Sequence, residues 1–109
     1  MTRYLNVPIA ASLASALLLL AGCGFSGRHS EQDCMERAIF FESHRSSRDG
    51  MIAVGSVVMN RVASDQFPNT VCGVVSQKRQ FAPGVMTRKM NSKAMPDVRE
   101  AAHAVLRGE

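Results

Sequence analysis

The stretch Glu36–Glu42 constrains the fold of this 109-residue chain most, because its apolar residues recur with the period of a helix. At about 100° per residue, Glu42 falls on the side of that helix that carries Ile39. A carboxylate on an apolar face is unusual in a soluble helix. Burial disfavours its charged form, which suits a general acid that works near neutral pH. We therefore expect Glu42 to be a buried general acid at the carboxyl end of this helix, where a cleft could open, although an ion pair with Arg61 or Arg37 would also explain its position.

The composition allows one small domain. Hydrophobic residues make up 46% of the chain and charged residues 20%, enough for a single modest core. The net charge is +4, and removing residues 1–22 takes away one basic residue, Arg3, and no acidic residue. The basic residues are scattered singly, without the block that binds nucleic acid, so we expect no nucleic-acid partner. The small excess of positive charge is compatible with binding to an acidic polymer or an anionic membrane surface, or with an ordinary solvated protein surface.

The first 23 residues have the form of an export signal. Arg3 supplies a positive start, Val7–Leu20 is small and apolar, and positions 20–23 read Leu-Ala-Gly-Cys. This ending resembles the lipobox of bacterial lipoproteins, which implies cleavage before Cys23 and lipid attachment to that residue. An uncleaved membrane anchor is the alternative, but the apolar run is shorter than the ~20 residues that span a bilayer comfortably.

We therefore expect a signal peptide over residues 1–22 and an exported, lipid-anchored protein. Gly24 after the lipidated cysteine resembles the Gram-negative signal for the outer membrane, where the protein would face the periplasm. Residues 23–32 are rich in Gly, Ser and charge and are interpreted as a tether to the domain.

Two cysteines remain once Cys23 carries lipid. In an oxidising compartment, the pair Cys34 and Cys72 predicts a disulfide, worth roughly 3 to 4.5 kcal/mol in the chain-entropy model. The alternative is a catalytic thiol with His44 or His103 as its base, although neither histidine lies at a suggestive spacing.

The remaining pattern predicts four helices. Asp33 with Glu36 matches a capping box, so the first helix is expected to begin at Asp33 and to end near residue 43. Asp49 can cap a buried helix over 51–62, and Asn69 or Thr70 can cap a short helix over 71–76. The last helix is expected to begin at position 96 with proline and to end near position 108 with glycine.

Side chains in one predicted helix and in one predicted loop are candidates for substrate binding. Asn60 lies near the end of the buried second helix, where it either bonds the backbone or serves a site. Gln80 and Phe81 lie in a polar loop over 77–84, where an aromatic ring beside an amide could hold a sugar. The chain contains no Gly-rich phosphate loop, no paired-cysteine signature and no His-Glu-x-x-His, so we expect neither a metal nor a cofactor.

With these residues identified, the chain resembles the SleB/CwlJ family of cell-wall hydrolases from Cys34 to about Gly108. Four sequence blocks carry the resemblance, in the family's order: Arg-Ala-Ile-Phe-Phe-Glu at 37–42, Gly-x-x-Ala-Val at 50–54 leading to Val-Val-Met-Asn-Arg-Val at 57–62, Phe-Pro-Asn-Thr-Val-Cys-Gly-Val-Val at 67–75, and Gln-Phe at 80–81. The resemblance implies a small, mainly helical, lysozyme-like domain over residues 33–109. It also implies that Glu42 acts on peptidoglycan glycan strands and that Cys34 pairs with Cys72.

The chain departs from the family pattern at three places. Ser-His-Arg-Ser follows the glutamate where the family usually has Ala-Arg-Gly-Glu, and Phe40 stands where tyrosine is common. The family also carries a further aromatic and histidine-rich segment after the helix matched by Ala101–Gly108, so we expect the domain to be incomplete at its carboxyl end.

The resemblance suggests a lytic transglycosylase in which Glu42 serves as both acid and base, because no second carboxylate is evident from the sequence. Two other functions are compatible with the sequence: a Cys/His cell-wall peptidase, and a lipoprotein that binds peptidoglycan without cleaving it.

Overall fold

The computed structural model describes residues 29–109, and within this range the regular structure is entirely helical. The helices are α1 (Glu31–Glu42), α2 (Arg48–Val62), α3 (Val71–Val75) and α4 (Met95–Leu106). The predicted mainly helical fold is therefore confirmed. The predicted signal peptide, Cys23 and most of the predicted tether lie outside the described residues. From residue 29 onward, no helix combines the length and apolar character that crossing a membrane requires.

Serine hydroxyls, rather than aspartates, cap the first two helices. Ser30 Oγ accepts a hydrogen bond from the backbone N–H of Asp33 at 3.0 Å, so α1 begins two residues earlier than predicted. Ser47 Oγ likewise accepts from the N–H three residues on, at 3.2 Å, and α2 begins at position 48. The prediction that Asp33 and Asp49 are the caps is wrong. Both residues lie in the first turn of their helix, where a negative charge interacts favourably with the helix dipole. Thr70 caps α3, as predicted.

Helix α1 is packed against all three other helices. Its side chains at Met35 and Ile39 are fully buried, and Phe40 is nearly so. The other helices and the 76–94 segment complete this core with mainly small and β-branched side chains: Met51, Val58, Val71, Val74, Val75, Val85, Met95, Val98, Ala101, Ala102 and Val105. Five of the twelve α1 residues are buried, and α1 is the central element of the fold. The prediction that the helix over 51–62 is buried is wrong, because only Met51, Gly55 and Val58 of that helix are buried.

Helices α2 and α4 approach each other closely at Gly55. A methyl group placed on Gly55 would lie 2.6 Å from Cγ2 of Val105 and 3.2 Å from its Cβ, both well inside van der Waals contact. Val105 is itself only 4% exposed, so it belongs to the packed core. The glycine is therefore required by packing, since its backbone lies in an ordinary helix.

We predict that Gly55→Ala destabilises the protein. Helix propensity favours alanine by about 1 kcal/mol, but overpacking a filled core costs typically 1 to 3 kcal/mol, so the clash should prevail. Urea unfolding should show a lower free energy of unfolding. In a double-mutant cycle with Val105→Ala, the two changes should compensate each other by at least 1 kcal/mol. Strict additivity would contradict the assigned contact.

A disulfide joins α1 to α3. Cys34 and Cys72 are bonded, with their Cα atoms 5.2 Å apart and a sequence separation of 38. The predicted pairing is confirmed. The alternative of a catalytic thiol is wrong for this structure, because neither cysteine retains a thiol, and His44 and His103 are exposed to solvent.

Replacing both cysteines, as Cys34→Ala with Cys72→Ala, should lower the free energy of unfolding by about 4 kcal/mol, because a closed loop of this length restricts the unfolded chain. The measurement is urea unfolding with and without dithiothreitol. The reductant should destabilise the wild type by a similar amount and leave the double variant unchanged. A wild type insensitive to the reductant would argue against this bond as a source of stability.

An exposed ion pair connects the start of α2 to α4. Arg48 donates two hydrogen bonds to the Glu100 carboxylate, at 2.7 and 3.0 Å. These hydrogen bonds hold the pKa of Glu100 below its usual range. The pair lies on the surface, where it orients the two helices and adds little stability.

Candidate active site

Glu42 is the last residue of α1, and the way the helix ends places it at the surface. Ser43 adopts an extended conformation and closes the helix through its N–H, which donates to the carbonyl of Ile39 at 3.0 Å. No further turn of α1 exists to cover Glu42, and its side chain is exposed. The predicted burial of Glu42 is therefore wrong. The helical wheel gave its direction correctly and the helix ends near residue 43, as predicted, but at the end of the helix that direction is open to solvent.

The carboxylate of Glu42 is held by a backbone donor. The N–H of Ala82 donates to Glu42 Oε1 at 2.6 Å, across 40 residues of sequence. Within residues 29–109 Glu42 forms no ion pair, and Arg37 instead pairs with Asp33 at 3.0 Å. The alternative of an ion pair between Glu42 and an arginine is therefore wrong. Oε1 is fixed by the loop, while Oε2 has no hydrogen-bond partner in the described part of the chain.

Glu42 opens onto a cleft of about 260 Å³ between α2 and the loop that follows α3. Val54, Val57 and Arg61 form one wall, since spacings of three and four residues place them on one face of α2. Val57 is 46% exposed, the one large hydrophobic side chain in the described range that solvent reaches so freely. Gln80 and Phe81 complete the cleft. An apolar wall with polar groups at its edges matches a sugar, whose ring has apolar faces and a polar rim.

The loop over 76–87 carries the predicted residues Gln80 and Phe81 to Glu42. Arg79, just before them, has φ of 68°, a left-handed conformation that is unfavourable for a residue other than glycine. Such backbone strain persists where surrounding contacts enforce it. Here Phe81 packs against the core and the Ala82 N–H is bonded to Glu42. The structure thus brings three of the predicted site residues, Glu42, Gln80 and Phe81, into one cleft.

Asn60 lies elsewhere. It lines a different cavity, also about 260 Å³, beside Val105, Leu106 and Glu109 near the end of α4. Substrate binding by Asn60 stays a prediction, because Asn60 does not line the cleft that contains Glu42. Its neighbour Arg61 does line the cleft with Glu42, and its spacing from Val54 and Val57 is the sequence signal that could have identified it.

A larger cavity of about 480 Å³ lies within the loop and shares Phe81 with the cleft. Among residues 29–109, no group of three or more His, Cys, Asp and Glu side chains is arranged to hold a metal ion. The chemistry available in the cleft is that of one carboxylate, one guanidinium and one amide.

Comparison with known proteins places these features in a family. A family model described as Cell Wall Hydrolase matches residues 45–109, a segment that begins three residues after Glu42. The spore cortex-lytic enzyme of Bacillus cereus is 45% identical over 47 residues, which cover 43% of this chain and 18% of that protein. The spore cortex-lytic enzyme of Bacillus subtilis is 28% identical over 99 residues, covering 88% of this chain and 32% of the relative.

A solved structure shares the fold. The catalytic domain of the germination-specific lytic transglycosylase SleB from Bacillus anthracis aligns with a TM-score of 0.59 and 31% identity, covering 77% of this chain and 69% of that domain. The predicted lysozyme-like helical architecture agrees with this similarity. The chain spans less than a third of the length of the two curated relatives described above. Because the family model matches more than half of the sequence and the solved domain shares its fold, the chain belongs to the Cell Wall Hydrolase family.

Proposed function

We propose that this protein cleaves the glycan strands of peptidoglycan as a lytic transglycosylase, with Glu42 as its single catalytic carboxylate. The observation that carries the proposal is the composition of the cleft: Glu42 is the one carboxylate among its described lining residues. The relative from Bacillus anthracis is named a lytic transglycosylase, and its catalytic domain shares this fold. The aspartates Asp49, Asp65 and Asp97 do not line the cleft.

The cleft suits the first half of such a reaction. The proton on Glu42 passes to the oxygen that bridges two sugars, and the bond from the anomeric carbon to that oxygen breaks. The leaving sugar departs as an alcohol, and the muramic ring carries oxocarbenium-like positive charge beside the new carboxylate. Oε1 is held by the Ala82 N–H, so Oε2 is the atom free to transfer the proton.

The second half needs no further protein residue. The C6 hydroxyl of the muramic sugar attacks its own anomeric carbon, and its proton passes to Glu42. The product is a 1,6-anhydromuramic end, and Glu42 is protonated again for the next cycle. No water is consumed. A glycosidase that hydrolyses the bond uses a second carboxylate, about 5 to 9.5 Å from the acid, to act as nucleophile or to activate water.

We predict that Glu42→Gln lowers turnover of purified peptidoglycan by about 10²- to 10⁴-fold, the usual contribution of a general acid. Glutamine keeps an oxygen that can accept from Ala82 N–H, so the loop should stay in place. The matched control is Glu31→Gln, an exposed position at the other end of α1, which should retain full activity.

Mass spectrometry of the released fragments identifies the reaction. Wild-type protein should release fragments with 1,6-anhydromuramic ends. Reducing ends alone would indicate hydrolysis and contradict the cyclisation step, and unchanged release by Glu42→Gln would remove Glu42 from the mechanism. Binding to sacculi without any soluble fragment would favour the non-catalytic function.

We further propose that the protein is exported and anchored by lipid at Cys23, in the outer membrane facing the periplasm if its host is Gram-negative. The support is the pattern of residues 1–24, which lies outside the described residues. Metabolic labelling with an alkyne-modified fatty acid should label the wild type and not Cys23→Ala. The variant should also accumulate at the unprocessed mass, and labelling that persists would contradict anchoring at Cys23.

A further inference from the structure

The segment over residues 66–96 is basic and contains no acidic residue, since all nine acidic residues of the chain lie before or after it. Five basic residues lie within it: Lys78, Arg79, Arg88, Lys89 and Lys93. All five are exposed, and none forms an ion pair with another residue in the range 29–109. A segment that carries cations without their counter-ions attracts negatively charged ligands.

Two of these cations line a cavity that adjoins the candidate active site. Lys78 and Arg79 line the cavity of about 480 Å³, which shares Phe81 with the cleft that contains Glu42. The left-handed backbone of Arg79, with φ of 68°, is a conformation that costs free energy and that is concentrated at functional sites. Apolar side chains form another part of the lining: Pro83, Val85 and Met86.

The backbone of the loop that forms this cavity is fixed to α1. Arg37, whose side chain is 14% exposed, donates to the carbonyls of Val85 and Arg88 at 3.2 and 2.8 Å. On the other side of the loop, the Ala82 N–H donates to Glu42 at 2.6 Å. These hydrogen bonds order the loop before a ligand arrives, which reduces the entropy lost on binding.

We propose that this cavity is a subsite for the acidic stem peptide of peptidoglycan, with Lys78 and Arg79 binding the carboxylates of the peptide. This inference rests on the proposed function. The stem peptide is joined by an amide bond to the lactyl group of muramic acid, the sugar whose anomeric bond breaks in the proposed reaction. The peptide therefore accompanies that sugar into the cleft, and the cavity lies next to the cleft at Phe81.

The chemistry of the stem peptide matches both parts of the cavity lining. Its glutamate is linked through the γ-carboxyl group, so the α-carboxylate is free to pair with a cation. Its alanine methyl groups suit the apolar part of the lining. The N-acetylated sugar rings of the glycan carry no charge, so the peptide is the part of the substrate that supplies negative charge. The proposed subsite thus favours strands that keep their stem peptides.

The test measures binding to the full chain carrying Glu42→Gln, which prevents turnover. The probes are uncrosslinked glycan strands with intact stem peptides, and the same strands after carbodiimide coupling to ammonia has converted the peptide carboxylates to amides. In calorimetry at one ionic strength, the acidic strands should bind about 10-fold more tightly than the amidated strands, as expected for charge-assisted contacts. Adding Lys78→Gln and Arg79→Gln together should abolish this preference and leave binding of the amidated strands unchanged.

The matched control is the double change Lys89→Gln and Lys93→Gln. It removes the same charge from the same basic segment, at two residues that do not line the cavity. This variant should keep the full preference for the acidic strands. Circular dichroism of each variant before titration checks that it is folded.

Equal binding of acidic and amidated strands by the protein with Lys78 and Arg79 present would overturn the subsite and leave the proposed reaction standing. Loss of the preference to the same extent in both double variants would indicate attraction by the overall surface charge, and would also overturn it. A preference that depends on Lys78 and Arg79, in a protein whose wild type releases no soluble fragments, would support the subsite and count against the proposed cleavage. Failure to bind either strand would count against both.

Discussion

The packing of α1 against three other helices is the constraint on which the rest of the structure depends. A helix contacted by three others needs a buried apolar side chain toward each of them, and Met35, Ile39 and Phe40 are buried in this way. The disulfide through Cys34 ties the same helix to α3. A small domain buries little surface, so the stability of the whole fold depends strongly on the packing of this helix. The candidate site begins where the packing stops, at Glu42.

The cleft is assembled from three segments that are distant in sequence. The end of α1 supplies a carboxylate, one face of α2 supplies an apolar wall and Arg61, and the loop after α3 supplies Gln80 and Phe81. The hydrogen bond from Ala82 N–H to Glu42 joins the first segment to the third. This arrangement leaves one carboxylate oxygen free in a cleft that is also lined by Arg61, whose guanidinium lies near two aromatic rings. A cleft with a single acid is consistent with a glycan-cleaving enzyme that forms its product by internal attack.

The helices and part of the candidate site could be predicted from the sequence. The helices, their order and the cysteine pairing followed from local pattern and from the resemblance to the cell-wall hydrolases. The first two helix starts were misplaced because Ser, like Asp, is a good cap, and the choice between Ser30 and Asp33 depends on which backbone N–H comes within reach. Gln80 and Phe81 were found with Glu42, whereas Asn60 lies in another cavity because it is rotated about 100° from Arg61 on α2.

The sequence by itself determined the helical period, the apolar faces and the position of Glu42 on one of them, because these properties depend on residues close together in the chain. Only the tertiary structure decided that Glu42 is exposed at a cleft and bonded to Ala82, and that the Arg61 guanidinium lies near the rings of Phe67 and Phe81. Such contacts join residues up to 40 positions apart. They form only when helix ends, loop conformation and core packing are satisfied together, and no local pattern contains that information.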